Sequence, residues 1–415
     1  MTKGLKHSAR LCAGEPYRVF FPVALVAGIV GVVLWPMFYG QQLAYYPLHA
    51  HARLMIEGYV GGFAIGFLGT AMPKMLSTAP LRIWQVVGLL GLHLSYCTVH
   101  AMGKIQTGDA LFSLMMVLML GFLGIRLTRA GTVPPPGMVL TGMGLLCGIF
   151  GATWWAFFTA SGSFTVTMFA QRLLYQAFIL LPLLGVGSFI FPMILGTPNK
   201  HAQMTGPTMR AAWKRKAFEA FLLGSLIITT YWIEVKGQPE AMSWTRFALC
   251  AVWLAKESGW WKLKSNKGIM VWSLRAGIVC LLGSLMITGI IQIHRIALEH
   301  MLYIGGFGLI TMIVATRVIF GHSGQGHLFQ KWTKPLVVCT GLVLLGMATR
   351  VTADFMPHIK ESHHVYAAIC WIAVSILWGI AILPAVRKQP FPAMLKPKTA
   401  PTKKAGTVMD MKFRK

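Results

Sequence analysis

Acidic residues are scarce in this chain: 11 Asp and Glu stand against 38 Lys and Arg among 415 residues, and charged residues make up only 12 % of the total. An ordinary soluble domain carries roughly a quarter charged residues, so a large water-facing surface is excluded. The seven cysteines, Cys12, Cys97, Cys147, Cys250, Cys280, Cys339 and Cys370, stand singly. They form no CxxC, no CxxCH and no paired spacing, which excludes a disulfide framework and a covalently attached haem. There is no glycine-rich nucleotide motif and no flavin or quinone motif. No internal polar stretch is long enough for a soluble domain.

What is present is apolar: 55 % of the residues are hydrophobic, in repeated runs of roughly 18 to 24, the length that crosses a bilayer as a helix. The chain reads as an all-α polytopic membrane protein, with about twelve transmembrane helices in a single bundle over residues 1–386. A basic tail, 387–415, is expected to be disordered because its Pro, Lys and Thr content buries nothing. The eighth helix, near Ser243 to Lys256, is the shortest, and the long loop Gly196 to Lys216 leaves six spans on either side. The first apolar run is long and lacks a small-residue cleavage site, so it reads as a retained helix.

The net charge of +27 invites comparison with nucleic-acid-binding proteins, but the basic residues gather in alternate loops, from Lys200 to Lys216, from Lys256 to Lys267 and in the tail. Basic loops on one side set orientation, which places both termini in the cytoplasm of a multi-pass plasma (inner) membrane protein, with lipid as its partner and no nucleic acid.

The thirteen histidines are the chemically informative residues, since imidazole suits haem iron and copper and a neutral ring enters a bilayer more cheaply than a carboxylate. The topology puts His49, His51, His100, His294, His300, His358, His363 and His364 near the outer face, and His7, His201, His322 and His327 near the inner face. His93 falls mid-span. His300 and His322 bracket one apolar run; at helical rise they stand ~33 Å apart, about one hydrocarbon core. His49 and His51 point roughly 200° apart if both are helical, and can converge on one metal only if the helix begins at Arg53. Candidate cofactor ligands are therefore His49, His51, His93, His100, His300 and His322, with His49, His51 and His300 the candidate metal set. Interfacial histidines bonded to carbonyls or lipid are the structural alternative. Arg317 and Glu57 are supporting candidates, Glu57 being spaced to pair with Arg53. Arg172, Glu299 and Arg350, at span ends, are expected to reach towards headgroups.

Three blocks carry a family resemblance. His49 to Lys74 presents His-x-His entering a helix that continues through Gly66, Phe67, Leu68, Thr70, Ala71 and Pro73. A middle block carries Tyr175, Gln176, Gly185, Gly187, Pro192 and Gly196. The run from His300 to Gly324 carries Gly305, Gly308, Thr316, Arg317, Gly321 and His322. In these blocks the chain resembles the NnrS family, haem- and copper-containing bacterial membrane proteins of the nitric-oxide response. It departs from the family pattern at Ala52 and Arg53, at Lys74 to Leu76 and at Gln325. The resemblance implies non-covalent b-type haem, copper, nitric oxide as the small ligand and a role against nitrosative stress, with an electron donor unspecified. A nitric-oxide reductase or oxidase-like enzyme is the sharper alternative, although the haem-copper oxidases carry their histidine pairs in the opposite order. A multipass transporter without a redox centre is the other.

Overall fold

In a bilayer, backbone N–H and C=O groups must be satisfied within the segment, so runs of this length fold as helices. The computed structural model describes residues 3–204, 210–263 and 266–388, and no strand occurs among them. Most of the expected tail therefore lies outside the described residues. A short helix, α1 (Lys3–Gly14), is followed by twelve long ones: α2 (Tyr17–Tyr39), α3 (Leu48–Met75), α4 (Ile83–Ala101), α5 (Ile105–Leu127), α6 (Met138–Phe157), α7 (Phe164–Leu195), α8 (Arg210–Val235), α9 (Pro239–Ser258), α10 (Ile269–Ile290), α11 (Arg295–His322), α12 (Lys334–Ala353) and α13 (Pro357–Arg387). Ten are long and apolar enough to cross a membrane; α4 and α9 are of similar length but more polar. The helix expected from Ser243 is longer than its apolar run, because Pro239 at its first turn starts it earlier.

The helices divide into a centre and a periphery. The most apolar windows of α3, α7, α10 and α11 are 72–78 % buried, against 28–39 % for α5, α8, α12 and α13. Outward residues such as Phe218, Val252 and Ile380 are apolar and exposed, the composition a lipid-facing surface requires. Tight crossings need small residues: a Cβ on Gly144 of α6 would come within 2.2 Å of Pro182 on α7, and one on Gly66 of α3 within 3.0 Å of the Tyr17 backbone on α2. The first long helix is tied to the end of the last, since Arg18 donates to the carbonyls of Val386 and Lys388.

Three central helices share an irregularity. A π-helical segment interrupts α3 at Leu54–Gly61, α7 at Leu173–Ala177 and α11 at Met301–Gly308. Each of the three helices is the second in a set of four. Arg53, Leu54, Gly66 and Pro73 of α3 recur at one constant offset as Arg172, Leu173, Gly185 and Pro192 of α7. Among the described residues, six long helices lie on each side of the Gly196 to Lys216 loop, and the matched residues relate α3 to α7 at a spacing of four helices.

Candidate metal and cofactor site

A π-turn widens a helix and shifts the residues after it round the axis, which is why such turns gather at functional sites. Here all three face one another and line a cavity of about 440 Å³ at the end of the bundle opposite the termini. Tyr59 and Met55 enter it from α3, Tyr175 from α7, and Tyr303 and Phe307 from α11. The volume is within the ~300–1,000 Å³ usual for a small-molecule site.

Three histidines line this cavity: His51, His300 and His364. His51 Nδ1 donates to the Gly31 carbonyl (2.8 Å) and His300 Nδ1 to the Ile296 carbonyl (2.7 Å). A carbonyl accepts only, so each Nδ1 carries the proton and each Nε2 keeps a free lone pair. This is the tautomer and the orienting contact typical of a metal-ligating histidine. His364 Nδ1 contacts the Tyr39 hydroxyl at 2.7 Å, and its buried Nε2 has no hydrogen-bond partner. Trp35 packs edge-on to His51 and tilted against His364.

Cations sit on the cavity wall. Arg350 and Lys360 hold Asp354 between them, at 3.0 and 2.8 Å. Burial pushes the Asp354 carboxyl up, but the Lys360 and Arg350 contacts prevail and hold it at about 2. Arg172 is bonded to Glu234 (3.0 Å) and Glu299 (2.7 Å), and Arg295 joins the same two carboxylates. The expectation that Arg172, Glu299 and Arg350 simply reach for headgroups gives way to these ion pairs: Arg172 meets carboxylates of two other helices, Glu299 meets Arg172 and Arg295, and Arg350 meets Asp354 one turn on.

The other candidate residues lie elsewhere. Because α3 already begins at Leu48, His49 and His51 are both helical and diverge: His49 leaves the cavity and packs on Trp155. His93 is fully buried, with Nδ1 2.6 Å from the Tyr96 hydroxyl. His100 is equally buried and places Nε2 2.9 Å from Glu57 Oε2. Glu57 lies 3.2 Å from Arg53, as its spacing suggests, but the principal partner of Arg53 is Asp109. His322 is at the termini end, its Nδ1 2.6 Å from Glu15. Arg317 lies over the Phe329 ring. His201 is buried at the same end between Glu257, Ser188 and the Gly137 N–H, a fully bonded structural position.

The family model described as NnrS protein matches residues 12–389. The chain belongs to the NnrS family. Membership supports a role in the nitric-oxide response, and no curated protein matches the chain. The three NnrS sequence blocks fall on α3, α7 and α11, the helices whose π-turns build the cavity. Two residues of this NnrS cavity were not singled out by sequence reasoning as a pair: Tyr175 and Tyr303, one on each of two π-turns, with Tyr303 accepting from Gln176. Asp109, which joins His100 and Glu57 in a cluster able to hold a metal, was also missed. As the single acidic residue in the α5 apolar run, it was visible in principle.

Proposed function

We propose that this NnrS protein binds b-type haem and copper in the cavity between α3, α7 and α11, and acts in nitric-oxide metabolism or in protection against nitrosative stress. The site faces the outer side of the plasma membrane, with both termini in the cytoplasm, as the basic loops at the termini end require. The observation that carries this reading is that His51 and His300 line one cavity with each Nδ1 fixed on a carbonyl and each Nε2 left for a metal.

His51 and His300 would hold the metal, with the unpartnered Nε2 of His364 as a third nitrogen. When bound, iron or copper supplies a position for a diatomic ligand and a store for an electron. The protein's own part is orientation and charge. Gly31 and Ile296 fix the ring planes, Trp35 screens His51 and His364, and Arg172, Arg350 and Lys360 offer positive charge to haem propionates. The apolar lining from Ile56, Ile304, Phe307 and Trp371 would limit the water that shares the cavity with a bound group.

The test is haem and copper analysis of the purified protein, with reduced-minus-oxidised and nitric-oxide difference spectra. His51→Ala and His300→Ala are expected to lose the metal and the nitric-oxide-sensitive spectrum, and His49→Ala and His322→Ala to keep them. A folded wild-type protein without haem or copper would refute the reading.

A further inference from the structure

Behind the cavity wall lies a second polar group that the metal reading does not use. Arg53, Glu57, His100 and Asp109 have no exposed surface, and they come from α3, α4 and α5. Arg53 donates to Asp109 Oδ1 from Nε (2.6 Å) and to Oδ2 from Nη2 (3.0 Å), and to the Tyr175 hydroxyl from Nη1 (2.6 Å). One ligand atom each of Glu57, His100 and Asp109 lie within 4.8 Å of one another. His49 and the rings of Trp155 and Tyr175 flank Arg53, and His93, Tyr96 and Cys97 adjoin the group from α4.

His100 Nδ1 is buried with no acceptor for a second ring proton, so the ring is neutral, and two carboxylates with one guanidinium would leave a net negative charge in the membrane interior, where an uncompensated charge costs several kcal/mol. Like charges that close do not both ionise. Asp109 accepts two charge-assisted bonds from Arg53 and is the one held ionised. On Glu57, Oε2 meets His100, whereas Oε1 is buried and lies 3.2 Å from Arg53 Nε but receives no hydrogen bond from it, because that N–H is given to Asp109. A metal ion is the poorer occupant, because Arg53 already occupies both oxygens of Asp109.

The geometry points to a proton-binding site: Glu57 carries a carboxylic proton on Oε1, and His100 Nε2 donates to Oε2. The proton makes the group electrically neutral and gives Oε1 a donor role. Tyr175 lines the cavity and bonds Arg53, so the site lies one side chain behind the proposed metal position. Loss of the proton there would balance an added positive charge in the cavity, and its return would balance the removal of that charge. Only this use rests on the metal reading; the proton itself does not.

The experiment is infrared spectroscopy of the full chain in detergent at neutral pH, prepared with and without haem and copper. A protonated-carboxyl C=O band is expected in both preparations, downshifted in D2O and lost in Glu57→Gln. Asp109→Asn, which removes a negative charge but keeps the shape, leaves Glu57 as the one carboxylate facing Arg53 and should abolish the band as well; it serves where the first variant does not fold. No protonated-carboxyl band in the folded wild type, or a band unchanged by both substitutions, would overturn the site. Either result leaves haem or copper binding to be judged separately from the metal content.

Discussion

Arg53 and Asp109 form a two-pronged ion pair, at 2.6 and 3.0 Å, across α3 and α5, where neither side chain meets solvent. Removing one partner strands the other charge, whereas replacing both with apolar residues removes the desolvation cost as well. Asp109→Ala is expected to destabilise the protein by about 3–5 kcal/mol, and Arg53→Met with Asp109→Leu to restore much of it. Thermal unfolding in detergent by tryptophan fluorescence checks both; a double variant as unstable as the single one would contradict the account.

Gly108 precedes Asp109 and lies against the His100 ring, where an added Cβ would stand 2.3 Å from the imidazole. His100 is fully buried and cannot retreat without breaking its contact with Glu57. Gly108→Ala should therefore cost about 1–3 kcal/mol by overpacking, while Gly91→Ala, which meets nothing within 4 Å, should be neutral. The comparison of the two melting temperatures decides it.

At the opposite end of the bundle, Glu15 is bonded to Arg18, Lys74 and His322. Burial opposes its ionisation, but hydrogen bonds from His322 and Lys74 outweigh burial and hold its pKa at about 2, below the ordinary 4.5. Its contribution to stability is thus complete above about pH 4.5 and is lost as the pH falls towards 2. Glu15→Gln should flatten that part of the stability-against-pH curve, measured as denaturation midpoints in a pH series.

Arg350 and His364 share the cavity with His51 and His300; Arg350 brings positive charge to the wall, and His364 a buried Nε2 without a hydrogen bond, 4.0 Å from Asp354. On the proposed reading, Arg350→Gln speeds haem loss by weakening propionate contacts and leaves the spectrum of bound haem in place. His364→Ala, in contrast, changes the spectrum or the copper content. Haem-loss rates and absorption spectra of the two variants separate these effects, and equal behaviour to wild type in both would remove these residues from the site.

Much of the architecture was legible because it follows from hydropathy alone. Apolar runs of bilayer length must be helical, and the spacing of His49 and His51 forces the two rings apart on any helix starting before them. The family blocks pointed to the helices that matter. They did not show that the blocks line one cavity, since that depends on π-turns, and a π-turn leaves the local residue pattern unchanged.

Pairing was the other matter that only the fold could decide. By spacing, Glu57 pairs with Arg53 one turn away; in the bundle, Arg53 turns mainly to Asp109 and Glu57 meets His100, because α4 and α5 bring those groups to the buried face of α3. His93, His100 and His322 have the same chemical form as His51 and His300, yet their ring nitrogens meet Tyr96, Glu57 and Glu15. The sequence by itself determined that the chain is helical and polytopic and which residue types could hold a metal, since these depend on composition and on contacts near in the chain. The tertiary structure alone decided which histidines share a cavity with a free nitrogen, because that is set by groups far apart in sequence competing for the same hydrogen bonds.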